Sequence, residues 1–193
     1  MVAKVGARER RLFNSTIKSA RIGMPEAQYE VGLMYANGVG VKQDYFEAAL
    51  WFRQAADRNV PEAQYNLALA YELGRGVAKD ETAAQKWYRA SANAGYARAR
   101  YNLALMLEEG RGSAPDPAGA LELYRAAALQ NYAPAQNNLG ILLAEGRGTP
   151  ADVSSPSRGA RQPGQARQGQ CGGQDGQGND ASGFHDQLQK KVG

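Results

Sequence analysis

Small and apolar residues return along this chain every 36 residues, and within each block they fall at the three- and four-residue steps of a helix face. Ala27, Val31 and Tyr35 stand at i, i+4 and i+8, one stripe of a helix over about residues 25–37. Shifted by one block, Ala27 meets Ala63, Ala99 and Ala135; Val31 meets Leu67, Leu103 and Leu139; Gly32 meets Ala68, Ala104 and Gly140. Gly38 then stands where a helix needs a left-handed residue to stop, and it returns as Gly74, Gly110 and Gly146. Asp44, Asp80, Asp116 and Asp152 read as N-caps of a second helix, with Glu47 a capping-box partner of Asp44. That helix repeats Ala48, Ala84 and Ala120, then Trp51, Trp87 and Leu123, then Phe52, Tyr88 and Tyr124, and ends at Asn59, Gly95 and Asn131.

One helical hairpin of this size cannot bury its apolar face alone, whereas three or more stacked in register can. The pattern therefore predicts an all-α fold, a right-handed α/α solenoid of antiparallel hairpins with about 3.5 repeats. The repeats occupy residues 25–60, 61–96 and 97–132, and an incomplete fourth occupies 133–152. Residues 1–24 form a basic segment in which Leu12, Phe13, Ile17 and Ala20 make a weak apolar stripe, read as a half-repeat capping helix. Residues 153–193, with nine glycines and eight glutamines, carry too few apolar side chains to offset the entropy of ordering and are expected to be disordered. Two origins stay open for that segment: a genuine flexible tail, or a shifted reading frame after Asp152. Either way the first helix of the fourth block exposes Leu139, Leu142 and Leu143, a route to self-association through an uncapped end.

The blocks resemble Sel-1-like repeats, a branch of the tetratricopeptide class. The resemblance is carried by Ala27, Gln28, Tyr29, Gly32, Leu33, Tyr35, Gly38, Gly40 and Val41, by Asp44, Ala48, Trp51 and Phe52, and by the second copy over residues 63–88. It implies a superhelical adaptor that holds another protein, a peptide or a helix, commonly in bacterial signalling and envelope-related processes. By the same resemblance, one edge of the first helices lines a concave surface. Tyr29 and Leu33, Tyr65 and Leu69, and Tyr101 and Leu105 lie on that edge, and Asn66, Asn102 and Asn138 run beside it. An asparagine amide offers both the donor and the acceptor that a bound peptide backbone requires. The alternative is that the tyrosines and leucines pack between repeats while the asparagines are solvated. Arg75, Arg111 and Arg147 share one loop position, so they form either a cationic row for an acidic partner or a solvated face.

Composition narrows the remaining choices. The net charge is +4, but the first 24 residues carry +5 and the last 41 carry +2, leaving −3 between them. The basic character belongs to the ends, so no basic groove for nucleic acid is expected. One cysteine, Cys171, and one histidine, His185, cannot make a disulfide framework or a His/Cys metal site within one chain. The repeated Gly-x-Gly lies between helices and lacks both the third glycine of a dinucleotide loop and the lysine of a P-loop, so it is turn chemistry. No nucleophile stands with an identifiable base, and neither a cofactor nor a metal is implied. The chain holds no run of the roughly 18 apolar residues that span a membrane, and no apolar segment of a secretion signal. The compartment expected is the cytoplasm, or the periplasm if residue 1 is not the true start. The leading expectation is a non-catalytic protein-binding scaffold. The alternatives are a hydrolase of the kind reported for some cysteine-rich Sel-1-like relatives, whose cysteines this chain lacks, and a truncated remnant without independent function.

Overall fold

A computed structural model describes residues 6–148. The disorder and reading-frame expectations for residues 153–193 fall outside the described residues. Eight helices follow one another: α1 (Ala7–Arg21), α2 (Pro25–Asn37), α3 (Tyr45–Ala56), α4 (Pro61–Leu73), α5 (Glu81–Asn93), α6 (Ala97–Glu109), α7 (Pro117–Ala128) and α8 (Ala133–Glu145), and the described residues contain no strand. Each helix packs on the one before and the one after it, most extensively within the pairs α2 with α3, α4 with α5 and α6 with α7. These pairs are the hairpins of an α/α solenoid.

The loop chemistry explains why each hairpin closes the same way. The first helices stop at Gly38, Gly74, Gly110 and Gly146, all left-handed with φ between 66° and 71°. The second glycine of each loop is required for a different reason: a methyl at Gly112 would lie 2.6 Å from the carbonyl oxygen of Glu81, because the loop lies directly on the start of the preceding repeat's second helix. Asp44 Oδ1 accepts from the backbone N–H groups of Phe46 (2.9 Å) and Glu47 (3.1 Å), and Asp80 and Asp116 cap α5 and α7 in the same manner. The reciprocal half of the capping box assigned to Glu47 is superseded. The Asp44 N–H donates instead to the Tyr35 carbonyl at 2.9 Å, as Asp80 does to Tyr71 and Asp116 to Leu107, so the cap also ties the second helix to the last turn of the first. Asn59 and Asn131 take φ near 60°, and Gly95 takes the same left-handed region after α5.

Inside the stack, most stripe positions are covered. Val31 and Leu67 have no exposed surface, nor do Ala84, Ala104, Ala120, Tyr88 and Tyr124. Each such leucine contributes roughly 2 kcal/mol by leaving water, and the alanines let helix axes approach closely enough for the large rings to fill the gaps. At the N-terminal end α1 packs on α2 as α3 packs on α4, with Phe13, Thr16 and Ala20 buried. The Phe13 ring meets Tyr35 edge-on at 5.4 Å, and buried Thr16 satisfies its hydroxyl on the Leu12 carbonyl at 3.0 Å.

Candidate functional site

The residues assigned to the binding face sit on α2, α4, α6 and α8, and the structure divides them by depth. Leu33 and Tyr65 are buried; Tyr29, Leu69, Tyr101 and Leu105 are half-buried, as are Asn66, Asn102 and Asn138. The tyrosine rings are built into the walls between helices. Tyr65 meets Tyr88 at 5.7 Å and Tyr96 at 5.3 Å, and one repeat later Tyr101 meets Tyr124 at 5.7 Å and Tyr132 at 5.5 Å. In the first repeat Tyr29 lies 6.0 Å from Phe52. Burial pushes the Tyr65 hydroxyl up to about 12, and burial likewise raises Tyr29, Tyr88 and Tyr124 above the ordinary tyrosine value, so all four stay protonated near neutral pH.

The asparagines each hold a tyrosine hydroxyl. Asn102 Nδ2 donates to Tyr88 Oη at 3.0 Å and Asn138 Nδ2 to Tyr124 Oη at 3.3 Å; Asn66 Nδ2 reaches Tyr29 Oη at 3.4 Å and the Glu62 carbonyl at 3.0 Å. Each of these side-chain amides therefore spends a donor within the fold.

A network that sequence reasoning missed runs beside this row. Tyr88 Oη donates to Glu72 Oε2 at 2.6 Å, and Glu72 Oε1 takes Arg111 Nη1 of the next repeat at 2.6 Å. One repeat on, Tyr124 Oη donates to Glu108 Oε2 at 3.0 Å, and Glu108 Oε1 pairs with Arg147 Nη2 at 2.8 Å. The arginines are accordingly not a cationic row for an acidic partner. Two of the three are neutralised by the preceding repeat, while the Arg75 guanidinium lies over the Tyr45 ring at 5.6 Å. The signal was present in the sequence as Glu72 and Glu108, one repeat apart, against Arg111 and Arg147 at the same spacing.

Among the described residues, no group of three or more His, Cys, Asp or Glu side chains could hold a metal ion, and no helix is long and apolar enough to cross a membrane.

The model of the Sel1 repeat matches residues 25–60, 61–96, 97–132 and 133–155. The chain belongs to the Sel1 repeat family. Two solved Sel1-type structures resemble it. One is a protective antigen present in uropathogenic Escherichia coli strains and displaying an SLR fold, 32% identical with a TM-score of 0.71 over 72% of this chain. The other is a Sel1 repeat protein from Oxalobacter formigenes, 30% identical with a TM-score of 0.69 over 73% of this chain. The chain spans 30% of the first and 58% of the second, so it corresponds to part of each. No curated protein matches the chain. Sel1 repeat proteins are generally protein-interaction scaffolds.

Proposed function

We propose that this chain is a non-catalytic adaptor that holds a peptide or helix of another protein along the first helices of its repeats. The observation that carries this reading is the row of half-buried Asn66, Asn102 and Asn138, one in each of the second, third and fourth repeats, each with an amide donor held by a tyrosine hydroxyl. Fixed side chains lose little freedom when a ligand arrives, so a carbonyl oxygen offered once per repeat is a preorganised acceptor for backbone N–H groups. Half-buried Leu69, Tyr101 and Leu105 supply apolar surface beside it. Buried Leu33 and Tyr65 act beneath that surface as support and do not touch the ligand.

The test is affinity capture with the full chain and with the triple variant Leu69→Ala, Asn102→Ala, Leu105→Ala. Circular dichroism should be close to that of the parent. A protein captured by the parent and lost by the variant supports this surface; capture at equal yield rejects it. Tyr65→Ala is unsuitable, because it opens a cavity between Tyr88 and Tyr96 and disturbs the fold itself.

A further inference from the structure

In each repeat the second helix covers the first, and the covering ring changes together with the residues beneath it. Gly32 and Ala36 go with Phe52, Ala68 and Glu72 with Tyr88, and Ala104 and Glu108 with Tyr124. A methyl at Gly32 would come within 2.6 Å of Phe52 Cδ1 and Cε1, so that ring occupies the notch left by the absent side chain. Where the first helix carries glutamate, the ring is a tyrosine that donates to it; where it carries alanine, the ring has no hydroxyl to satisfy.

The first helix of the fourth repeat, α8, carries Gly140 and Ala144, the combination found under Phe52. Among the described residues nothing lies within 4 Å of a methyl placed on Gly140. Leu139 is only half-buried, although its equivalents Val31 and Leu67 are fully covered. With Ala128, Leu129 (80% exposed) and Leu143 (49% exposed), it lines a mostly apolar groove of about 300 Å³ between α7 and α8, edged by Arg125 and Gln136.

We propose that this groove receives a helix of another protein bearing alanine and, four residues on, phenylalanine, laid against α8 as α3 lies against α2. The three sister grooves define the occupant's chemistry, and Ala144 selects phenylalanine over tyrosine. The sequence that follows α8 does not supply this pair, and its one phenylalanine, Phe184, has Asp180 four residues before it. Continuing the register puts Pro156 at the alanine position and Ala160 at the aromatic position, and the family match to this repeat ends at residue 155. A second copy keeps Phe52, Tyr88 and Tyr124 buried in its own repeats, and its α1 has Thr16 where the ring should be.

The experiment uses the full chain and a fluorescein-labelled peptide of residues 44–59, held helical by a lactam bridge between positions 46 and 50, both exposed in α3. Saturable anisotropy is expected, weakened about tenfold or more by Phe52→Ala in the peptide and by Gly140→Leu in the chain. Phe52→Tyr in the peptide weakens binding about tenfold, because its hydroxyl meets Ala144. Gly140→Leu improves helix propensity at an exposed position, so folding is retained. The Leu69, Asn102, Leu105 triple variant should bind this peptide as the parent does, which separates this groove from the adaptor surface. Absence of saturable binding, equal affinity for the phenylalanine and alanine peptides, or full affinity of Gly140→Leu would overturn the proposal. So would self-association in sedimentation velocity that Gly140→Leu abolishes, since the groove would then belong to a second copy.

Discussion

The junction between the first and second repeats and the junction between the second and third have the same backbone and opposite chemistry. In the first, Phe52 has no hydroxyl, Ala36 no carboxylate, and Arg75 rests on the Tyr45 ring. In the second, the Tyr88 hydroxyl is buried and must be accepted, Glu72 accepts it, and Arg111 from the next repeat compensates the carboxylate at 2.6 Å. One oxygen atom on a ring thus carries with it a carboxylate and the pairing of a guanidinium 39 residues away. The lesson is that a repeat tolerates either an apolar or a polar junction, provided that every member changes together.

The comparison is broken hardest at Glu72. Glu72→Ala leaves the Tyr88 hydroxyl proton without its acceptor and Arg111 with only Glu109, and should lower the unfolding free energy by about 2–3 kcal/mol. Urea denaturation would read it, and a loss under about 0.5 kcal/mol would show that the network is ornamental. The converse substitution, Phe52→Tyr, places a hydroxyl against Ala36 and should cost about 1–2 kcal/mol. Adding Ala36→Glu should restore most of that and draw Arg75 away from Tyr45; a double-mutant cycle with no coupling would contradict the pairing rule. Arg75→Ala, removing an arginine without a carboxylate beneath it, should cost no more than about 0.5 kcal/mol, whereas Arg111→Ala should cost about 2 kcal/mol. The smallest effect concerns pH. Tyr65, Tyr88 and Tyr124 have raised values in the folded chain, so the unfolded chain loses their protons first. Stability is therefore complete below the unfolded tyrosine value of about 10 and falls as pH rises toward the folded values, to about 12 for Tyr65. Tyr88→Phe should move the alkaline unfolding midpoint upward relative to Phe52→Tyr, measured by circular dichroism; an unchanged order would mean that burial of these rings does not govern it.

Much of the candidate site was legible as position and little of it as depth. The 36-residue spacing put Tyr29, Tyr65 and Tyr101 at one position of α2, α4 and α6, with the asparagines next to Tyr65 and Tyr101 in sequence. It did not reveal that Tyr65 is 8% exposed, because the rings that cover it, Tyr88 and Tyr96, come from the other helix of the hairpin and from the approach to the next repeat. The arginine row was read by its shared loop position, yet two of its three charges, those of Arg111 and Arg147, are cancelled from the preceding repeat, a relation that no period along one helix contains.

The 36-residue register alone determined the helices, their stops at glycine, their aspartate caps and the stacking, because turn chemistry and helix periodicity act between residues close in the chain. Only the tertiary structure decided which edge residues became wall and which stayed surface, and which carboxylate met which guanidinium. A solenoid helix has neighbours on two sides, and the angle and distance between axes, set by packing rather than by periodicity, select the stripe that each neighbour covers.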